Sequence, residues 1–311
     1  MGKVNQLVSS DFILVGLFSR SGSPQIFYSL VAAMFILGLV GNALLLLLIR
    51  VDCHLHTPMY FLLSQLSLLD IGFPLVTIPK MASLGEDSIS FGACAAQVFF
   101  LTLMGMAEGI LLALMSYDRY VAVCHPLQYP VLMRTQVCLL MVGFSWLAGV
   151  LNASIQTSVT LHFPYCTSRI VDHFFCEVPA LLKLACADTS AYELALSTSG
   201  VLILLLPLCL ITTSYGCVLQ AIVSMRSEEA RHKVFATCSS HISVVGLFYC
   251  SAVFMYMVPG AYHSPRLDNV VSLFYSLVTP TLNQLIYSVR NPEVHVAFIK
   301  ALSRVGLNEL V

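Results

Sequence analysis

Seven long apolar segments constrain this chain more than any other feature of its sequence. They lie near residues 26–49, 58–79, 94–117, 137–161, 194–225, 234–258 and 268–289. Each approaches or exceeds a length of about 20 residues, which is what a helix needs to span about 30 Å of hydrocarbon. Charged residues make up only 10% of the chain, against about 25% in soluble domains. The sequence therefore predicts an all-α membrane protein, a bundle of seven transmembrane helices.

The basic residues predict which side of the membrane each connection faces. With an odd number of spans the termini lie on opposite sides, and Lys and Arg concentrate in cytoplasmic loops. Nine of the fifteen basic residues follow the first, third and fifth segments or lie in the tail: Arg50, Arg119, Arg134, Arg226, Arg231, Lys233, Arg290, Lys300 and Arg304. The N-terminus is therefore expected outside and the C-terminus inside, as in a multi-pass plasma-membrane protein surrounded by lipid.

The chain is expected to have three parts: an extracellular tail (1–24), the bundle (25–290) and a cytoplasmic tail (291–311). The first part shows no apolar core with a cleavage site, so no removable signal peptide is expected. The connection 160–193 is long enough to fold over the outer mouth of the bundle as a lid. In the cytoplasmic tail, apolar residues at helical spacing predict an amphipathic helix on the inner membrane surface. Those residues are Val294, Ala297, Phe298 and Ala301.

Two carboxylates lie inside the apolar segments, where burying a charge is costly and marks a functional candidate. Counted from the cytoplasmic ends of their helices, Asp70 lies about 18 Å up and Glu108 about 16 Å up. They are expected to share one site, with Asn42 and Asn283 slightly below. Two carboxylates in one site repel each other unless a cation or a shared proton lies between them. A sodium ion or a protonated carboxyl is therefore expected, the alternative being two separate hydrogen bonds between helices. No other metal or cofactor is expected.

Four of the eleven cysteines fall on the extracellular side of this topology: Cys94, Cys166, Cys176 and Cys186. An oxidising compartment favours disulfides, so two bonds are expected. The sequence alone leaves three pairings open.

The cytoplasmic end of the third segment, MSYDRYVAVC at 115–124, closely resembles the odorant-receptor form of the Asp-Arg-Tyr motif of rhodopsin-like receptors. Other strings resemble the same family in the same order: Gly41-Asn42, LHTPMYFL at 55–62, Trp146, Ser214-Tyr215, KVFATCSSH at 233–241 and PTLNQLIY at 280–287. The likeness runs from about Asp11 to Lys300. The chain thus resembles the tetrapod-type (class II) odorant receptors.

This resemblance implies a G-protein-coupled receptor that is not an enzyme. Its ligand would be a small-molecule odorant, and its partner a stimulatory, olfactory-type heterotrimeric G protein that raises cyclic AMP. The coupling and switch residues would be Asp118, Arg119, Tyr120, Tyr215, Asn283 and Tyr287. Arg119 would face the G protein in the active state and pair with Asp118 in the inactive one. The alternative for Arg119 is a simple interfacial anchor.

The resemblance also implies which cysteines pair. Cys94 would bond to Cys176 and tie the lid to the third helix, and Cys166 would bond to Cys186 and close the lid on itself. The string HFFCE at 173–177 could instead be interpreted as a copper or zinc site. A disulfide-bonded cysteine offers no thiolate to a metal, which disfavours that interpretation.

The odorant pocket is expected in the outer half of the bundle, beneath the lid. Residues 101–106 lie about 20–27 Å above the cytoplasmic end of their helix, where the family binds odorants. The expected lining is Leu101, Thr102, Gly105, Met106, Ser199, Ile203, Ala252, Val253, Tyr256, Leu273 and Ser276. None is charged, which suits a small neutral volatile held by dispersion and one or two hydrogen bonds.

Two features depart from the family pattern. Gln284 stands where the family has Pro after Asn283, so the last helix is expected to lack the break that Pro imposes, which alters the expected swing of Tyr287. The N-terminal Asn5 begins no Asn-x-Ser/Thr glycosylation acceptor. Asn152 begins one but lies inside the fourth span.

Other functional classes fit the sequence less well. A transporter tends to show internal repeats and helices interrupted at the midplane. An intramembrane hydrolase needs a nucleophile and base or a metal pair, and no His-Glu-x-x-His string occurs. A rhodopsin-like receptor outside the odorant group is the nearest alternative, which the strings in the second, third and sixth segments together disfavour. No nucleic-acid partner is expected.

Overall fold

A computed structural model describes residues 11–15, 24–82, 88–166, 169–258, 264–289 and 291–304. Its helices are α1 (Pro24–Val51), α2 (Pro58–Ala82), α3 (Phe91–Cys124), α4 (Tyr129–Leu132), α5 (Thr135–His162), α6 (Val178–Leu182), α7 (Ser190–Ser224), α8 (Glu228–Met257), α9 (Pro265–Leu273), α10 (Thr279–Val289) and α11 (Pro292–Arg304). A 3-10 turn, Cys53–Leu55, precedes α2, and a π turn, Phe274–Val278, joins α9 to α10.

In the described part of the chain, six helices are long and apolar enough to cross a membrane: α1, α2, α3, α5, α7 and α8. The seventh predicted span comprises α9, the π turn and α10. Large apolar side chains such as Leu140, Leu206 and Val223 are exposed on the outside of the bundle, as a surface that faces membrane requires. The predicted fold class is confirmed, and the chain is a multi-pass membrane protein.

α3 is the central helix of the bundle and carries most of the residues discussed below. It packs against α5, α7, α2 and α8, and Ala107, Leu111 and Leu112 are fully buried. A β carbon at Gly149 of α5 would lie 2.6 Å from the carbonyl oxygen of Leu103. The glycine therefore lets α5 approach the outer half of α3 more closely than any other residue could.

The last span is distorted at the π turn and not at Gln284. Pro280 lacks the N–H that a regular helix uses, and the extra residue of the π turn lies just before it. α10 then runs through Gln284 without a break, as the absence of proline there predicts. The amide group of Gln284 occupies the space that a β carbon at Gly41 would need, so this glycine allows α1 to pack on α10.

Three short strands form a small sheet at the outer mouth, which the sequence did not predict. β1 (Phe12–Leu14) pairs antiparallel with β2 (Ser88–Ile89) and parallel with β3 (Ile170–Val171). Strands of two or three residues leave almost no periodic signal in a sequence. Phe12 and Val171 are fully buried, so the sheet attaches the N-terminal segment to the lid.

The described residues of 160–193 form the predicted lid. The lid contains β3 and α6, and its Phe174 and Phe175 are buried in the main hydrophobic core. The disulfide Cys94–Cys176 ties the lid to the start of α3. This bond confirms the first pairing that the resemblance implied.

The second expected disulfide is not formed: no sulfur–sulfur bond joins Cys166 and Cys186 in the described lid. The backbone N–H of Cys166 instead donates to Sγ of Cys186 at 2.6 Å. A hydrogen bond to Cys186 raises the pKa of the Cys166 thiol. The two thiols are adjacent but not joined by a disulfide.

α11 confirms the predicted amphipathic helix after the last span. Val294 and Ala297 are buried, and Phe298 packs against the same core. The hydroxyl of Tyr60 in α2 donates to Oε2 of Glu293 at 2.8 Å. α11 is therefore held against the inner end of the bundle by apolar packing and a polar contact.

Candidate functional site

A cavity of about 150 Å³ lies in the outer half of the bundle beneath the lid. An apolar cavity of about this volume accepts a benzene-sized molecule. Its walls are mainly aliphatic and aromatic: Phe73, Val98, Leu101, Thr102, Gly105, Met106, Glu108, Asn152, Gln156, Phe175, Glu177, Val178, Leu196, Gly200, Ile203, Leu204, Phe248, Ser251, Ala252, Met255 and Tyr275. α3, α5, α7, α8 and the lid supply most of this lining.

Six of the eleven residues expected in the odorant pocket line this cavity. They are Leu101, Thr102, Gly105, Met106, Ile203 and Ala252. The side chain of a seventh, Tyr256, lies outside the described part of the structure. Four of these six lie on α3, one on α7 and one on α8.

Ser199 and Val253 do not line the cavity, because each lies one residue away from the lining face of its helix. Successive helical residues point about 100° apart. The hydroxyl of Ser199 donates to the carbonyl oxygen of Leu196 in its own helix at 3.0 Å. On α8 the lining residues include Ser251, Ala252 and Met255, whose spacing leaves Val253 on the neighbouring face.

Leu273 and Ser276 do not line the cavity either, because the π turn changes the register of the last span. The turn contains one residue more than an α-helical turn, which the expected helical spacing did not include. Tyr275 lines the cavity in their place. Ser276 is fully buried, and its hydroxyl has no hydrogen-bond partner among the described residues.

Two carboxylates line the cavity, whereas the expected lining contained no charge. Glu108 belongs to α3 and Glu177 to the lid. No Lys, Arg or His lines it within the described part of the chain. The sequence contained one signal for Glu177: it follows Cys176, whose implied disulfide brings it near the outer end of α3.

Hydrogen bonds hold Glu177 at the top of the cavity. The hydroxyl of Tyr275 donates to Oε2 of Glu177 at 3.1 Å. Nε2 of His173 lies 3.4 Å from Oε1 of Glu177 and 3.0 Å from Oγ of Ser272. The Phe175 N–H donates to Nδ1 of His173 at 3.4 Å, so Nε2 carries the imidazole proton and is the donor. These bonds tie the lid to the last span and fix the carboxylate.

The two buried acids meet at the inner end of the cavity, as their matched heights predicted. Nδ2 of Asn283 donates to Oδ1 of Asp70 at 3.1 Å, and the Glu108 side chain lies beside both residues. Oε1 of Glu108 and Oδ1 of Asn283 have no partner among the described residues. Asn42 donates instead to the carbonyl oxygen of Gly38 at 3.0 Å.

Arg119 and Tyr287 meet at the cytoplasmic end, where they line a second cavity of about 40 Å³. The guanidinium of Arg119 contacts the sulfur of Met59. The expected pair between Asp118 and Arg119 is not among the ion pairs of the described residues. Asp118 instead accepts a hydrogen bond from the Tyr129 hydroxyl at 2.8 Å.

The tyrosines of this inner end have separate partners. Burial and the adjacent Asp118 carboxylate raise the pKa of the Tyr129 hydroxyl, which therefore stays protonated and donates. Tyr215 shares a hydrogen bond of 2.5 Å with Nδ1 of His241, and Tyr120 one of 3.0 Å with Nε2 of His125. The buried hydroxyl of Tyr287 has no partner among the described residues. The inner network is thus only partly connected.

Comparison with known proteins identifies the family of the chain. The family model described as olfactory receptor matches residues 31–305. Olfactory receptor 2Z1 of Homo sapiens is 77% identical, with 100% of both chains covered. Olfactory receptor 2T8 of Homo sapiens is 52% identical over 96% of this chain and 97% of its own. Olfactory receptor 2V1 of Mus musculus is 51% identical over 97% of this chain and 96% of its own.

Proposed function

Because this chain belongs to the olfactory receptor family, we propose that it binds a small neutral volatile in the outer cavity and activates a stimulatory, olfactory-type G protein, raising cyclic AMP. Family membership confirms the resemblance seen in the sequence motifs and the prediction that the chain is not an enzyme. The observation that carries the proposal is the cavity beneath the lid, whose volume and mostly apolar walls suit a molecule with few polar groups.

The same arrangement supports the proposed orientation of the bundle. The lid and its disulfide Cys94–Cys176 belong on the extracellular side, because disulfides persist in oxidising compartments. Arg119 and α11 then lie at the cytoplasmic surface, where most of the basic residues are also found. This orientation puts the odorant cavity within reach of the outside and Arg119 within reach of a G protein.

The partly connected inner network supports a switching role for this end. Tyr287 has a buried hydroxyl without a partner among the described residues, and it lines the small cavity together with Arg119. Groups without settled partners can exchange contacts when neighbouring helices move. Arg119 and Tyr287, with Asp118, Tyr120, Tyr215 and Asn283, are the residues we expect to rearrange on coupling.

A sodium ion or a shared proton at Asp70 and Glu108 forms part of the proposal. Buried oxygens of Glu108 and Asn283 lack partners among the described residues, which fits a hard cation that oxygen ligands prefer. A bound cation would neutralise the adjacent carboxylates. Asn283 would then orient both side chains through its amide, and release of the ion or proton would accompany activation.

Cyclic AMP measured in cells that express the receptor at the surface tests this function. A panel of volatiles should contain at least one that raises cyclic AMP with increasing concentration. Arg119→Ala, matched for surface level, should abolish the basal and the volatile-dependent signal, because the proposal assigns G-protein contact to Arg119. Full signalling by Arg119→Ala, or unchanged signalling after deletion of the stimulatory G-protein α subunit, would refute the proposed coupling.

A further inference from the structure

The polar groups of the outer cavity are predominantly hydrogen-bond acceptors. Glu177 accepts through both oxygens when ionised, and Glu108, the other carboxyl group of the described lining, keeps an acceptor oxygen even where it holds a shared proton. The Ser251 hydroxyl donates to the carbonyl oxygen of Leu247 at 2.9 Å, so its proton is used and its oxygen can only accept. Three of the polar lining groups therefore offer acceptor sites to a ligand.

The amide pair on α5 leaves both donor and acceptor groups for a ligand. Nε2 of Gln156 donates to Oδ1 of Asn152 at 3.0 Å. This bond engages the carbonyl oxygen of Asn152 and one N–H of Gln156, and it leaves Oε1 of Gln156 as an acceptor and the NH2 of Asn152 and the second N–H of Gln156 as donors. The pair therefore does not reverse the excess of acceptors, and neither does Thr102, whose hydroxyl can donate or accept.

The two carboxylates lie at opposite ends of the cavity. The lining residues of α3 run from Val98 to Glu108, a rise of about 15 Å at 1.5 Å per residue. The lid is tied to the outer end of α3 by the Cys94–Cys176 bond. Glu177 is therefore the acceptor nearest the mouth, and Glu108 the acceptor at the inner end, beside Asp70 and Asn283.

We propose that the cavity selects volatiles that carry a hydrogen-bond donor on an apolar body, namely alcohols, phenols or amines, and that the Glu177 carboxylate accepts that donor. This inference rests on the proposed odorant-receptor function and specifies its ligand class. Glu177 is held in place by Tyr275 and His173, and each of its oxygens retains further acceptor capacity. Glu108 lies at the other end of the cavity, where the proposed function places a cation or proton shared with Asp70, so the selection is assigned to Glu177 alone.

The same arrangement disfavours volatiles that bring only acceptors or a negative charge. An aldehyde oxygen placed at Glu177 would lie against another acceptor. It would lose its hydrogen bond to water, and Glu177 offers no donor to replace that bond. A carboxylate would in addition meet the like charge of Glu177, and no basic residue is among the described lining groups. A ligand that donates a hydrogen bond to a charged group should therefore be more potent than a matched ligand that cannot. The expected difference is about tenfold or larger.

Matched volatiles test the inference directly. The probes are 1-hexanol, hexanal, hexylamine and hexanoic acid, with benzyl alcohol, benzaldehyde, benzylamine and benzoic acid as a second skeleton. In each set the alcohol or the amine should raise cyclic AMP at about tenfold lower concentration than the aldehyde, and the acid should be the weakest. The amine presents the same donor mostly as a cation, so a response to the amine with none to the alcohol would contradict the neutral ligand of the proposed function.

Substitutions at the carboxylate separate its chemistry from its shape. Glu177→Gln replaces one acceptor oxygen by an NH2 donor, so it should weaken the response to the alcohol and strengthen the response to the aldehyde of the same skeleton. Tyr275→Phe removes a protein donor from Oε2 of Glu177 and should improve potency for donors, which keeps the test informative should Glu177→Gln not reach the surface. Glu193→Gln, an exposed acid on α7, is the matched control and should change neither ratio.

Three results would overturn the proposal. They are equal potency of alcohol and aldehyde in the unmodified receptor, an unchanged ratio in Glu177→Gln together with Tyr275→Phe, and no response to any donor probe by a surface-expressed receptor. Basal cyclic AMP distinguishes this failure from failure of the receptor function. A basal signal that Arg119→Ala removes shows that coupling stands even where the ligand class is wrong.

Discussion

The outer and inner halves of this bundle are held together in different ways. The outer half has a disulfide, a small sheet and a lid whose carboxylate Glu177 is fixed by Tyr275 and His173. The inner half contains buried polar atoms without partners among the described residues, including the Tyr287 hydroxyl and Nε2 of His241. In the inner half these groups lie close to Arg119, and groups without settled partners can exchange contacts when helices move. This difference fits the proposed division between an outer ligand cavity and an inner coupling network.

The largest effect is expected from removing the bond that holds the outer half. Cys176→Ser breaks the disulfide to Cys94, and losing such a bond typically costs about 2–5 kcal/mol in small secreted domains. The lid should detach from α3, and the receptor should be retained inside the cell. Surface labelling measures this, with Cys53→Ser, an exposed thiol outside the lid, as control. Normal surface levels and responses in Cys176→Ser would show that the lid is held without the disulfide.

A smaller effect is expected at the boundary between the halves. Glu108→Gln is nearly isosteric but cannot ionise, so a cation shared with Asp70 should bind less well. A bound ion should lower agonist affinity, and a bound agonist should lower ion affinity by the same factor. The coupling is typically about 1–3 kcal/mol, or about 5–150-fold in affinity. We therefore expect changed basal cyclic AMP or agonist potency and a weaker dependence on sodium.

The control for this boundary is replacement of extracellular sodium by a large organic cation in the unmodified receptor, which should shift potency in the same direction. Wild-type basal activity, potency and sodium response in Glu108→Gln, at matched surface expression, would leave Asp70 and Glu108 as ordinary hydrogen-bonding groups between helices.

The smallest effect is expected within the cavity wall. Leu101→Ala shortens an apolar side chain that lines the cavity, and a few missing methylene contacts reduce affinity by about tenfold. Ser199→Ala is the matched control, because its hydroxyl bonds within α7 and does not line the cavity. Concentration–response curves for one activating volatile measure both. Equal shifts in the two variants would place the ligand elsewhere.

The sequence predicted the elements that long periodic patterns specify and missed those that depend on short contacts. Apolar length alone located six spans, and the spacing of Val294 and Ala297 located α11. The sheet around Phe12 was missed because each strand has only two or three residues. The register error at Leu273 and Ser276 arose because a π turn has no distinctive composition.

The candidate site was predictable to the extent that it lies on regular helices. The α3 positions were correct because α3 is unbroken through the cavity. Glu177 was missed because it lies on the lid, where the backbone path is set by the disulfide and by Phe174 and Phe175, and no helical period applies. The similar heights of Asp70 and Glu108 were predictable from helix rise alone, since α2 and α3 are each continuous through these residues.

Separate measurement of binding and signalling in Arg119→Ala tests most directly whether the two halves have separate tasks. A volatile that activates the unmodified receptor is added to purified receptor, and the shift in thermal unfolding temperature reports binding; cyclic AMP in cells reports coupling. We predict that Arg119→Ala keeps the volatile-dependent thermal shift and loses the cyclic AMP response. Loss of both, or retention of the cyclic AMP response, would contradict a division between an outer ligand cavity and an inner coupling network.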